Sequence, residues 1–500
     1  MPPAYGSVVP SGSRAGRYVR AMSGLDLAAA TYAWGMQWWD HREHMVWNPP
    51  ASIAPDIEAR RVHLVPNTAW LAYAQLAAGD DAAGAEAVAA INVLIGLQYD
   101  RPDAVFHGTY RRFLESPEPP PAPVMWEHYD PNWRQFVGTT FALILEDFAG
   151  RLGPGLVAAI DASIGLACAG EPDGRIPPSY SNPALMRAWL DGWYGRRTGA
   201  AALVERGRTF AEAIVADFDR FGAFDEFNSP TYYGIDLYAL RLWRTLPPDP
   251  YFATHGARLE DALWRSAGGF YNANLRNWCG PYTRSYHPDA TRSVTMFSLW
   301  IWALLGRAHA PLPALDAPVV DHGHDLMAGP IFARLADEPV SYDLADFRAF
   351  TGTRAVGQEL SRHRHVSAWI GSDLMIGAEA STVDWGGWSQ FMPATAHWRS
   401  SRGEAVLWLL DPHEVHAVAS DHELAIDVPG VAAELRFHLR SSDAPIVEGT
   451  DVIAAGMRVT FRGDVARLAL AIAGAGAYEI RAVSKPTAAG TTALVTFTET

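Results

Sequence analysis

From about Leu25 to Gly306 the apolar residues recur at three- and four-residue intervals, in segments bounded by Pro, Gly, Asn and Asp. That period lays one stripe of side chains along a helix face. It predicts helices near Leu25–Trp39, Thr68–Ala78, Ala85–Leu97, Trp133–Phe148, Gly155–Ala169, Ala184–Tyr194, Ala200–Phe218, Tyr232–Trp243, Gly256–Ser266 and Thr291–Leu305. Strand-like alternation is nearly absent here. A run of antiparallel helices this long either bundles or closes into a ring of hairpins, and the long polar and aromatic connections favour the ring. Its loops would then gather at one face.

After Leu312 the texture changes. Pro311, Pro313 and Pro318 punctuate a linker. Beyond it, short runs such as Ala405–Leu410, Leu424–Val428 and Met457–Phe461 alternate with turn signals, among them Val428-Pro429-Gly430 and Arg462-Gly463-Asp464. These are the marks of an antiparallel sandwich. The expected organisation is multidomain α and β: an N-terminal tail over 1–22, an (α/α) toroid of helical hairpins over 23–312, a linker over 313–330, and an antiparallel β-sandwich domain over 331–500. A proline-rich loop, Glu115–Pro123, is the one low-complexity stretch.

Composition narrows the function classes. With 49% hydrophobic and 19% charged residues the 500-residue chain is globular. No stretch approaches the ~18 uninterrupted apolar residues of a membrane span. Forty basic against 55 acidic residues, a net charge of −15, argue against nucleic acid or an anionic membrane as partner. Cys168 and Cys279 make neither a disulfide framework nor a CxxC site. The Pro/Gly/Ser-rich N-terminus has no signal-peptide core, so a cytoplasmic location is expected. Lys485 is the only lysine, which leaves cationic chemistry to arginine, a residue suited to bidentate carboxylate recognition.

Three polar, aromatic loops each precede a helix: Trp126 to Arg134, Asp225 to Tyr233, and Asn277 to Asp289. Loops held by rigid helices are where binding and catalytic side chains concentrate. The competing reading is that Asn228, Ser229 and Asp289 cap helices while the aromatics pack. Most of the 19 tryptophans belong in the core, but Trp126, Trp133 and Trp278 lie in these loops and are candidate platforms for the apolar face of a sugar ring. Asp321-His322-Gly323-His324-Asp325 and His363-Arg364-His365 offer metal ligands at short spacing, without HExxH or CxxC partners, and the expectation is no metal. No GxGxxG, GxxxxGK[ST] or GxSxG motif appears, so no cofactor is expected.

The segment Gly222-Ala223-Phe224-Asp225-Glu226-Phe227-Asn228-Ser229-Pro230-Thr231-Tyr232-Tyr233-Gly234 resembles the Gly-Ser-aromatic-x-Glu-x-Ser-x-x-Tyr-His segment of heparinase II/III-like and alginate lyase families. Ala223 stands where those families often carry Ser, and Tyr233 where His is common. The resemblance implies an incomplete (α/α) toroid joined to a β-sandwich and a lyase that cleaves beside a uronic acid by β-elimination. It further implies that Asn132 neutralises the substrate carboxylate, helped by Arg284 or His287. Tyr232 or Tyr233 is then the catalytic tyrosine, with Tyr286 and His287 as companions, and Glu226 of the motif completes the expected catalytic set.

Arg284 or Arg134 would supply the positive charge a basic tyrosine needs, since a free phenol has a pKa near ~10. Trp126, Trp133, Arg134, Asn228, Trp278, Arg284 and His365 form the expected substrate-binding set, with His365 and His397 reaching in from the β domain. The partner implied is an anionic oligosaccharide; oligomeric state is not readable. Two rivals stay open. One is an inverting or unsaturated-uronyl glycoside hydrolase using two of Glu127, Asp130, Asp225, Glu226 and Asp289, set ~6.5–9.5 Å apart for inversion. The other is a non-catalytic oligosaccharide-binding protein.

Overall fold

How much of its circumference a helix buries marks its place in the N-terminal part of the chain. A computed structural model describes residues 14–51, 60–386, 389–410, 413–429, 434–485 and 490–500. Helices α2 (Val65–Ala78), α4 (Trp133–Phe148), α6 (Ser181–Thr198), α8 (Tyr232–Thr245) and α10 (Met296–Leu305) are buried over nearly their whole circumference. Helices α3 (Asp81–Gly96), α5 (Pro154–Ala169), α7 (Ala201–Asp219) and α9 (Pro250–Phe270) bury one face. On α7 that face is Gly207, Ala211, Ile214, Val215 and Phe218, the three-and-four spacing of an amphipathic helix.

The helices buried all round follow one another inside: α2 packs on α4, α4 on α6, α6 on α8 and α8 on α10. Each of α2, α4, α6 and α8 carries its sequence successor outside it. Helix α1 (Arg14–Met36) packs on α10 and α2, and α11 (Gly329–Leu335) lies against α1 and α2. All ten expected helices are present, nine with shifted ends and Trp133–Phe148 with the ends expected. Helix α10 starts at Met296 because Thr295 adopts extended backbone and its hydroxyl caps the Ser298 N–H at 3.3 Å.

Two expectations need correction. The helical part also holds short strands: β1 (Trp39–Asp40), β2 (Met45–Trp47) and β3 (His63–Leu64) form a small antiparallel sheet, and β4 (Tyr271–Asn272) pairs with β5 (Asn277–Trp278). Residues 313–330 are not a free linker, since the turn Gly323–Ala328 and helix α11 pack against α1. The expected boundary at 331 falls inside α11, and the first strand of the second part begins at Arg354.

Among the described residues fourteen strands, β6 (Arg354–Ser361) to β19 (Gly490–Glu499), then make one antiparallel sheet folded over its own core. Strand β10 (Gly403–Leu409) shows why its apolar run is unbroken: Ala405, Leu407 and Leu409 face the core of the sheet, while Val406 and Trp408 face the helices. A strand covered on both sides loses the alternation of a half-buried one. Two strands away, Gly377 of β8 (Leu374–Ser381) meets the backbone of Gly280 so closely that a Cβ would collide with the Gly280 carbonyl oxygen. The contact seats the sheet on the loop between β5 and α10.

Candidate active site

That loop is fastened to the sheet along its length. Tyr282 and Met392 exchange backbone hydrogen bonds of 3.1 and 2.9 Å, and the Ser285 N–H donates to the Gln390 carbonyl at 2.8 Å. Arg364, buried on β7 (Arg364–Ile370), grips Glu379 with two hydrogen bonds of 2.7 and 3.2 Å. The same guanidinium donates to the Thr283 hydroxyl at 2.6 Å and to the Asp225 carbonyl at 3.3 Å. One arginine of the sheet therefore fixes two of the three polar loops at once.

Between helices and sheet opens a cleft of about 1290 Å³, larger than the ~300–1,000 Å³ of a drug-sized site. All three loops reach it: Trp126, Asp130, Asn132 and Trp133 from the first, Glu226 and Tyr232 from the second, Arg284 and Tyr286 from the third. The sheet supplies the opposite wall with Gln390, Trp408 and His438.

Tyr232 opens helix α8, with its N–H on the Ser229 hydroxyl at 3.2 Å, while that hydroxyl donates to the Arg284 carbonyl. The Tyr232 and Tyr286 hydroxyls lie 2.5 Å apart. Over the Tyr232 ring, 3.7 Å from its centre, sits the Arg284 guanidinium, which donates to Glu226 Oε1 at 2.6 Å and Gln390 Oε1 at 3.0 Å. Glu226 Oε2 accepts from Ser181 at 3.0 Å and Asn182 at 2.7 Å. Burial, then the neighbouring Tyr286, holds the Tyr232 hydroxyl well above the usual phenol range, with Arg284 opposing. Tyr286 is 41% exposed to the cleft and stacks on His322 at 4.4 Å.

Asn132 stands at the start of α4 with its amide oriented by two partners: Oδ1 accepts from Arg175 at 2.9 Å and Nδ2 donates to the Tyr180 hydroxyl at 3.0 Å. An arginine can only donate, so the oxygen is fixed on that side and a second amide N–H is left for a ligand. Burial raises the Asp130 carboxyl beside it, against the pull of Arg112, Arg175 and Arg284. Trp126, 51% exposed and held at φ 62°, also lines the cleft.

Other expected site residues lie elsewhere. Tyr233 is packed in the core at right angles to Phe227, one residue round the helix from Tyr232. Trp278 is 2% exposed, wedged against Tyr271 and Phe297, and is no platform. Arg134 spends its guanidinium on the carbonyls of Val105, His107 and Pro131, and burial lowers its pKa to about 10. Asn228 clamps the carbonyls of Cys279 and Pro281 at 2.7 and 2.9 Å. His287 turns behind Trp408, its Nδ1 accepting the Asp289 N–H, and burial lowers its pKa to about 4. His365 is exposed on β7 and pairs with Glu359 at 2.9 Å, while His397 is buried against Asn277 and Tyr282.

Several cleft residues carried no signal of their own in the sequence. Tyr180 and Asn182 flank the start of α6, and the wall residues Gln390, Trp408 and His438 lie far along the chain. His322, His324 and Asp325, noted only for their spacing, also line the cleft. Among the described residues no helix is long and apolar enough to cross a membrane.

Residues 26–337 match the family described as a domain of unknown function, DUF8769, and residues 350–482 match a second such domain, DUF8770. No curated protein matches the chain. Among solved structures, heparinase III is similar over 87% of this chain and 76% of its own, at 8% identity and a TM-score of 0.43. The endoglucanase CelQ from Clostridium thermocellum, complexed with cellobiose and cellotriose, is similar over 97% and 83%, at 10% identity and a TM-score of 0.31. The match to DUF8769 takes in the three polar loops that reach the cleft, and the chain belongs to that family.

Proposed function

We propose that the chain is a lyase that cleaves a uronate-containing oligosaccharide by β-elimination in this cleft, on a helical part arranged as an (α/α) toroid. The succession of inner helices, each with an outer partner, supports the toroid. The observation that carries the chemistry is the Tyr232–Tyr286 hydroxyl pair, 2.5 Å apart under the Arg284 guanidinium and open to the cleft. In the reaction a base takes the C5 proton, the electron pair forms the C4–C5 double bond, and the C4–O bond breaks as its oxygen is protonated. Tyr286, the exposed member, is assigned the C5 proton. Tyr232, kept protonated by burial, is assigned the donation to the departing oxygen. Asn132 and the cationic Arg284 would stabilise the carboxylate as charge moves onto it, as preorganised dipoles do.

Glu226 fits this scheme as the residue that positions Arg284, because both its oxygens are already engaged. A glycosidase acid or base needs a carboxyl with a free oxygen. The test is a panel of uronate oligosaccharides followed by ultraviolet absorbance. A new unsaturated-sugar chromophore, lost in Tyr232→Phe and reduced in Asn132→Ala, is expected. New reducing ends without a chromophore would overturn the lyase and point to hydrolysis.

A further inference from the structure

The turn after α10 that carries His322-Gly323-His324-Asp325 is more tightly built than a solvent loop requires. His322 has left-handed backbone, φ 51°, and its N–H donates to the Ala51 carbonyl at 2.9 Å. Gly323 has no room for a side chain, because a Cβ would stand 2.7 Å from the Trp34 ring. The His324 carbonyl accepts from the Asn67 amide at 2.9 Å. These constraints throw both imidazoles and the Asp325 carboxylate to one side of the turn, and all three line the cleft.

The donors brought together there are poorly used. Among the described residues, His324 Nδ1 is buried with no partner. Asp325 is 5% exposed, and the one polar side-chain contact to its carboxyl among the described residues is His324 Nε2 at 3.4 Å. A buried carboxyl whose one such contact is this long, beside a buried imidazole nitrogen left over, is polar capacity that a bound ion would use. One ligand atom from each of His322, His324 and Asp325 lies within 4.8 Å of the others. Bonds of ~2.0–2.2 Å to a shared ion need neighbouring ligands roughly 3–4 Å apart, so side-chain rotations within the turn close the set.

We propose that His322, His324 and Asp325 bind one divalent first-row transition-metal ion on the wall of the cleft, with its remaining coordination positions facing the cleft. Two imidazoles and one carboxylate suit zinc, cobalt, nickel or iron better than the all-oxygen preference of calcium or magnesium. The site does not depend on the chemistry assigned to the tyrosines, and binding can be read without turnover.

Chelator-stripped full-length protein is titrated with Zn²⁺ against a chromophoric chelator, and the metal retained after gel filtration is counted by mass spectrometry. One equivalent per chain is expected, with affinity reduced at least tenfold in His322→Gln and His324→Ala, unchanged in His365→Ala, and not competed by Mg²⁺. Should His324→Ala fail to fold, His322→Gln carries the comparison, with Co²⁺ visible absorption reporting nitrogen and oxygen ligation in the parent. No stoichiometric binding, or binding that survives His322→Gln at full affinity, overturns the site.

Discussion

The Arg284 guanidinium lies 3.7 Å above the Tyr232 ring while holding Glu226 at 2.6 Å, so one cation serves an aromatic face and a carboxylate together. The arrangement explains why charge is available where a phenol would need it without Arg284 being drawn out of the cleft wall. Burial works against the charge on Arg284, and the hydrogen-bonded Glu226 carboxylate helps to keep it cationic. A flat guanidinium can stack and hydrogen-bond in its plane at the same time, which a lysine ammonium cannot.

Tyr232→Phe should lower uronate cleavage by about 10²-fold or more, the size of effect for a positioned acid or base, with unchanged circular dichroism. Tyr233→Phe should keep near-parental turnover, because its ring sits in the core and away from the cleft. Steady-state rates for the two variants, measured together, decide between the neighbours. Equal losses would contradict the placement.

Glu226→Gln should cost stability before it costs chemistry. Breaking a buried ion pair from one side typically loses about 3–5 kcal/mol, and here the amide still accepts one hydrogen bond from Ser181 or Asn182. Urea unfolding should show a loss near the lower end of that range, with measurable turnover remaining. Abolished turnover at parental stability would make Glu226 itself the proton carrier.

Gly377→Ala should disturb the active loop from the far side. Its Cβ would strike the Gly280 carbonyl, and overpacking of this kind costs about 1–3 kcal/mol or more. Both the melting temperature and the cleavage rate should fall. Gly357→Ala, whose nearest neighbour would be the Val366 carbonyl oxygen at 3.9 Å, is the matched control and should change neither.

His397 should make the protein acid-sensitive. Burial holds its imidazole neutral and lowers its pKa from 6.5 to about 4, with His287 adding to the effect and Asp289 opposing it. The unfolded chain takes up a proton as pH falls through 6.5, whereas the folded chain does not until about 4. The stability present above pH 6.5 is therefore lost between those values, by about 3 kcal/mol at ~1.4 kcal/mol per unit. Denaturant midpoints from pH 7 to 4 should show that slope, and it should flatten in His397→Asn.

The helices were legible because burial writes a period into the chain, and Trp133–Phe148 can be read at both ends from the residues alone. Helix α11 was not, since Gly329 and Pro330 at its start look the same as linker punctuation. Trp126 and Trp278 show the limit for the site: both stand in polar loops, yet one is half exposed and the other buried. Loop composition carries no information on which ring the neighbouring strands will cover. Tyr232 and Tyr233 differ by about 100° around the helix, a rotation that the loose register of the motif cannot fix. Gln390 and Trp408 belong to the cleft only because the sheet folds back onto loops more than a hundred positions earlier.

The grip of Arg364 on Asp225 and Thr283 has a consequence for the order of events at the ribosome. Chains emerge N-terminus first, and domains tend to fold as they appear. Tyr232, Arg284 and Tyr286 thus leave the exit tunnel well before the arginine that ties their loops together, and before Glu379, which locks that arginine. A nascent helical part would carry these side chains unassembled until the sheet arrives, so competence waits on a segment made after every loop that it fastens.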